Sequence, residues 1–267
     1  MSRFGKTELS DPQYEPEHLR FLTFNSPALR GRGDVSLFIP PSSERMTNLP
    51  LVILLHGVYC SHWAWAFKGR AHITAYEMIE SGEIPPMVLV MPSDGMWAEG
   101  SGYLSHISAD YEAWITEDVI GCALEVVSQL GQKSPVFIAG LSMGGYGALR
   151  LGAKHPGLFQ GISAHSSVTR YVELQRLITP RLLLITADSP DELDVLYWLR
   201  KHQEDLPPIR FDCGVDDDLL AGNRVLHQEL VANDIKHTYD EFPGAHKWPY
   251  WALHLKDTLR FFGEIVK

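Results

Sequence analysis

Short, unbroken apolar runs alternate along most of the chain with longer amphipathic stretches. Leu51–Leu55, Met87–Met91, Val136–Ala139 and Phe159–Ala164 are nearly free of polar residues. Runs of this length predict strands buried on both faces, as in a parallel sheet. Pro208–Gly214 and Lys236–Phe242 continue the series. Helical patterns fall between them. Ala71–Ser81 is closed by Gly82 and Asp110–Leu130 by Gly131. A helix follows Gly144, another spans roughly 221–233, and Trp251–Ile265 closes the chain. Strands and helices in alternation predict an α/β fold: a mostly parallel central sheet with helices on both faces.

Two regions depart from that rhythm. Residues 1–16 are polar and contain prolines, which predicts a flexible arm ahead of a single domain over 17–267. Leu19–Asn25 and Asp34–Pro40, separated by Pro27 and Gly31, predict an antiparallel hairpin that opens the sheet. From about 166 to 208 the pattern is irregular. Ser189-Pro190-Asp191-Glu192 starts a helix there with a serine cap, a proline at the first position and a glutamate three residues after the cap. An insertion of this kind predicts a small cap over the site.

Composition narrows the partners. The net charge of −10, from 23 basic and 33 acidic residues, argues against nucleic acid or an anionic membrane as the main partner, because a phosphate backbone needs a basic face. No apolar stretch approaches the roughly 20 residues of a membrane span. The opening Met1-Ser2-Arg3-Phe4-Gly5-Lys6-Thr7-Glu8 lacks the apolar core of a secretion signal. Three widely spaced cysteines, Cys60, Cys122 and Cys213, fit reduced thiols better than a disulfide frame or zinc site, and imply a cytoplasmic protein. No histidine spacing suggests a metal.

The chemistry lies in Gly140-Leu141-Ser142-Met143-Gly144. An apolar strand precedes this segment and a helix follows it, the setting of a G-x-S-x-G nucleophile elbow. The tight turn pushes the Ser142 hydroxyl out of the sheet edge, and the helix N-terminus aims the Met143 N–H at a developing oxyanion. His56-Gly57-Val58-Tyr59-Cys60 follows the strand Leu51–Leu55, where such folds place a second oxyanion donor. That donor is assigned to the Val58 N–H. His56 reads as a residue that fixes the loop rather than a second base. It joins Tyr59, Cys60, Trp63 and Trp65 as candidate pocket residues. Trp97, in the exit loop of Met87–Met91, and Trp248 complete that set.

A serine nucleophile needs a base and an acid from loops at the carboxyl ends of later strands, in the order Ser, Asp, His. His246 sits between the last strand and the last helix. The acid falls within Asp216-Asp217-Asp218. Three adjacent charges are not buried together cheaply, so one points inward. Asp217 is preferred, with Asp216 and Asp218 as alternatives and Asp188 more remote.

With these stretches identified, the chain resembles the esterase D-type family of α/β-hydrolases, which includes tributyrin, feruloyl and acetyl esterases and S-formylglutathione hydrolases. The resemblance runs from about Asp34 to the end. It is carried by His56–Cys60, Ala139–Leu149, Asp212–Leu220 and Pro243-Gly244-Ala245-His246. In the family's Asp-x-Gly-x-x-Asp segment the second aspartate is the acid, which implies Asp217. His56-Gly57-Val58 stands where the S-formylglutathione hydrolase branch has Ser-Gly-Leu, although Cys60 matches a cysteine of that branch. The resemblance implies a cofactor-free, metal-free serine carboxylesterase for small, short-chain acyl esters, with a homo-oligomer plausible. A thioesterase, an acyltransferase and a non-catalytic binding protein are the rival readings.

Overall fold

A computed structural model of the chain describes residues 2–41, 43–96, 98–178 and 185–267. Nine strands form one sheet: β1 (Thr7–Leu9), β2 (Leu19–Ser26), β3 (Gly31–Phe38), β4 (Leu51–Leu55), β5 (Val88–Pro92), β6 (Val136–Leu141), β7 (Gly161–His165), β8 (Ile209–Gly214) and β9 (Thr238–Phe242). Their order is β1-β2-β3-β5-β4-β6-β7-β8-β9. Pairing is antiparallel from β1 through β3 to β5 and parallel from β5 onward. The chain passes from β4 to β5 on one side and then crosses to β6 on the other. The strand order therefore reverses between β4 and β6, where open α/β sheets leave a crevice at their carboxyl ends.

Apolar burial on both faces explains the unbroken runs. In β4, Leu51, Ile53 and Leu55 face one core while Val52 and Leu54 face the other. The second core is covered by α1 (Ala64–Phe67), α2 (Ala71–Glu80) and α9 (Trp248–Ile265), through residues such as Trp65, Met78, Leu255 and Phe262. The first is covered by a long helical stretch, by the elbow helix α5 (Met143–Lys154), by α7 (Val195–Lys201) and by α8 (Leu220–Ala232).

That helical stretch differs from the expected 110–130 helix. It comprises α3 (Tyr111–Ala113), a π-helical segment (Trp114–Val119) and α4 (Ile120–Val126). Val127 is extended, and the chain leaves the helix to place Val127 and Leu130 in the core. There the Gln129 carbonyl accepts a hydrogen bond from Leu49 N.

The first residues are not a loose arm. Thr7–Leu9 pairs with Leu22–Phe24 of β2, Phe4 is 2% exposed, and Arg3 bonds to the buried Asp118 carboxylate at 2.6 Å. A three-residue polar strand has too short a pattern to read, and a single aromatic and the two ion pairs of Arg3, to Glu117 and Asp118, tie it down.

The irregular region also packs differently from a cap. The helix expected from Ser189 onward is a 3-10 turn (Pro190–Leu193), a break at the extended Asp194, and then α7. The Glu192 carbonyl accepts from Arg150 Nε and Trp198 Nε1, and the Leu193 carbonyl from Tyr146. Those bonds draw the turn onto α5 instead of letting it run into a helix. Val195 and Leu199 are buried in the same core. Within the described part of 166–208, α7 thus packs on the flank of α5, while α6 (Tyr171–Leu177) puts Leu174 into the same core. The remainder of the expected cap, 179–184, lies outside the described residues.

Candidate active site

Ser142 stands between β6 and α5 with φ 55° and ψ −120°, a conformation that costs on the order of 1–3 kcal/mol for a residue with a side chain. Its surroundings hold it there. Ser142 N donates to the His165 carbonyl at 3.0 Å, and its own carbonyl accepts from Tyr146 N and Val168 N. The flanking glycines are sterically required. A Cβ on Gly140 would collide with the Gly144 carbonyl, and one on Gly144 with the Leu55 carbonyl. The hydroxyl lies at the N-terminal end of α5, where the unpaired N–H groups carry partial positive charge.

His246 reaches the serine from the β9–α9 loop. Gly244 has φ 142°, and its carbonyl accepts from Asp216 N at 2.8 Å. A Cβ at Gly214 would strike that same carbonyl. The loops after β8 and β9 therefore meet backbone to backbone, which sets Asp217 against His246. Of the three adjacent aspartates, Asp217 is buried while Asp216 and Asp218 are exposed. Asp188 is exposed as well.

A continuous hydrogen-bonded chain results. His246 Nδ1 lies 2.9 and 3.1 Å from the two Asp217 oxygens. An ionised carboxylate only accepts, so Nδ1 carries the proton and Nε2 is left to accept from Ser142 Oγ at 3.1 Å. Burial raises the Asp217 pKa. Hydrogen bonds from His246 and Leu219 N–H, and the charge of His246, outweigh it and hold the carboxyl below its usual range. The Asp217 carboxyl thus stays charged at neutral pH.

The loop after β4 passes close to the serine. A Cβ on Gly57 would lie 3.2 Å from Ser142 Cβ, so the following Val58 backbone borders the same space. A cleft of about 490 Å³ opens there, lined by Val58, Tyr59, Cys60, Ser142, His246 and Trp248, among others. Burial pushes the Cys60 thiol up, partly offset by Lys68.

Other expected pocket residues lie elsewhere. His56 is 1% exposed. Its Nδ1 bonds the Gly57 carbonyl and its Nε2 accepts from Asp94 N, so it braces the loop rather than lining the cleft. Trp65 is buried in the core beneath, with Nε1 donating to the Leu55 carbonyl. Trp63 is partly exposed at the start of α1 and is not a lining residue. Aromatic residues after an oxyanion loop serve core or pocket, and here the short α1 turns Trp65 inward. Trp97 lies outside the described residues.

Trp251, Lys68, Lys247 and Pro249 also line the cleft and were missed in the sequence. Trp248 and Trp251 stand three apart on the first turn of α9, a spacing that puts both on one face. That was a readable signal. Lys68 gives no comparable sign.

A family model described as "Putative esterase" matches residues 26–262. An acetyl esterase from Caldicellulosiruptor saccharolyticus is 27% identical over 237 residues, spanning 82% of this chain and 85% of that protein. A solved ferulic acid esterase superposes with a TM-score of 0.80 at 24% identity, covering 98% of this chain and 99% of that one. A fluorophosphonate-binding serine hydrolase of Staphylococcus aureus, solved with substrate bound, does so with a TM-score of 0.79 at 21% identity, covering 93% and 98%. At these identities the structural likeness establishes the α/β-hydrolase fold.

Proposed function

Since the chain belongs to the esterase family of serine carboxylic ester hydrolases, we propose that it cleaves small, short-chain acyl esters through an acyl-enzyme on Ser142. The observation that carries this is the unbroken chain from Ser142 Oγ through His246 to Asp217. Ser142 Oγ bonds to the acyl carbon while His246 Nε2 takes the hydroxyl proton. Asp217 fixes the imidazole tautomer and stabilises the imidazolium. The carbonyl oxygen, now an oxyanion, is received by the Met143 and Val58 N–H groups. As the carbon–oxygen bond to the alcohol breaks, His246 returns the proton to the leaving oxygen. Water then attacks the acyl-enzyme, gives a proton to His246, and releases the acid and the serine.

The modest cleft and the acetyl esterase relative support a short acyl group. Among the described residues no helix is long and apolar enough to cross a membrane. The unpaired Cys60, Cys122 and Cys213 support a reducing, cytoplasmic setting. The position of Cys60 in the cleft wall favours a second reading, a thioesterase of S-formylglutathione hydrolase type.

The test is hydrolysis of p-nitrophenyl esters of increasing acyl length by the natural chain and by Ser142→Ala. Turnover should be greatest for acetyl to butyryl and fall by about 10⁴-fold or more in the variant. Equal rates with and without the serine hydroxyl would refute the mechanism, and better turnover of long-chain esters would refute the substrate class. S-formylglutathione assayed beside p-nitrophenyl acetate separates the two readings.

A further inference from the structure

The cleft carries charge of one sign. Among the described residues, the charged side chains lining it apart from His246 are Lys68 and Lys247, and no acidic one lines it. The surrounding protein has a net charge of −10. Most arginines are engaged with carboxylates: Arg3, Arg20, Arg70 and Arg170, and Arg150 with Glu112, Arg200 with Glu229, Arg210 with Asp212, Arg224 with Glu241 and Arg260 with Asp257. Neither cleft lysine has an ion-pair partner among the described residues. Two nearby carboxylates are committed elsewhere. The Asp217 side chain is fully buried behind His246. Asp94 accepts from Met96 N and Ser101 N.

Lys68 also faces an apolar wall. Lys68 Nζ lies 5.5 Å from the centre of the Trp248 ring, a cation–π distance. Trp251 and Leu141 continue that wall beside Ser142. Low-dielectric walls concentrate the field of a charge set among them. Three aromatic residues in a cleft also suit a quaternary ammonium ester, but the positive charges of Lys68 and Lys247 repel one.

We propose that the ester cleaved here carries an anionic group, most simply a carboxylate, which Lys68 and Lys247 bind above the Trp248 indole. The proposal rests on Ser142 acting as the ester-cleaving nucleophile, and it specifies the substrate class of that site. An ammonium is a compact point charge that imposes no bidentate geometry, so the lysines define the sign of the group more than its shape. An acidic protein otherwise repels an anion, and the two lysines reverse the local sign at the place where the ester must enter.

Two pairs of isosteric probes locate the charge. On the alcohol side, 4-acetoxybenzoate is compared with 4-acetoxybenzamide. On the acyl side, the mono-p-nitrophenyl ester of adipic acid is compared with that of adipamic acid. The quantity read is the carboxylate-to-carboxamide ratio of kcat/KM, corrected by the same ratio for alkaline hydrolysis. In the natural chain at low salt the ratio should exceed tenfold for one pair, which identifies the side that bears the anion. It should fall at least tenfold in K68M/K247M, invert in K68E, and shrink between 50 and 500 mM NaCl as screening would require. Corrected ratios near one for both pairs in the natural chain, or a ratio that survives K68M/K247M, would overturn the proposal while leaving ester hydrolysis intact. Carboxamide esters that turn over no faster with the natural chain than with Ser142→Ala would instead remove the nucleophile, and the proposal with it.

Discussion

Ser142, His246 and Asp217 come from three separate loops, and each is held by contacts outside the trio. The serine's strained backbone is anchored on His165 and Val168. The histidine sits between the Asp217 carboxylate and the edge-on Trp251 ring, 4.9 Å from its centre. Replacing Asp217 with asparagine should keep this geometry but allow the wrong imidazole tautomer. On p-nitrophenyl acetate near neutral pH, kcat should fall by roughly 10³–10⁴-fold, with circular dichroism unchanged. At this scale the sequence was informative where backbone geometry forced a residue type. The serine was legible through its glycines and the histidine through its place after the last strand. The aspartate was narrowed by its chemistry only to three neighbours; Asp217 was preferred among them and implied by the family resemblance, and the local turn is what buries that one. Lys68 was invisible, since a polar residue on a short helix has no pattern to mark it as facing a cleft.

Among the elements, the strands were the easiest to read, because burial on both faces removes polar residues from whole runs. The ends of helices were harder. Asp110–Leu130 reads as one helix, but a backbone bond from Leu49 to Gln129 draws its last turn away. Strand β1 was missed altogether. Its attachment depends on Phe4, which stands edge-on to Phe24 at 5.3 Å, and on Arg3 at Asp118. Phe4→Ala should therefore destabilise the protein by about 3 kcal/mol or more, measured by urea unfolding. A loose arm would give no change.

Across the whole molecule, a charged cluster joins the sheet to α9 beneath the site. His165 Nδ1 and Arg210 Nη1 both bond to Asp212 Oδ2 at 2.8 Å, and Tyr250 donates to Oδ1. His165 Nε2 bonds Thr258 Oγ1 at 2.8 Å. Every member is nearly or fully buried. Burial alone would raise the Asp212 pKa, but the charge and hydrogen bond of His165, with Arg210 and Tyr250, hold it below the usual value. A carboxyl whose pKa is lower folded than unfolded stabilises the protein above the unfolded value and loses that contribution as pH falls through the folded one. Asp212→Asn leaves Arg210 without its buried partner and should cost ~3–5 kcal/mol at pH 7. The gap to the natural chain should narrow below about pH 4, the ordinary aspartate range, in denaturation curves taken across pH. The backbone of His165 also holds Ser142 N, so this cluster supports Ser142 from below.

The aromatic rings beside the site have an optical consequence. Trp65 meets Trp248 edge-on at 5.7 Å, Trp248 meets Trp251 at 5.3 Å, and Trp251 meets His246. An imidazolium quenches the emission of an indole in contact with it, and neutral imidazole does so far less. His246 therefore contributes to the protein's own fluorescence with no substrate present, as the part of the signal that His246→Gln removes; His202 beside Trp198 contributes a separate part.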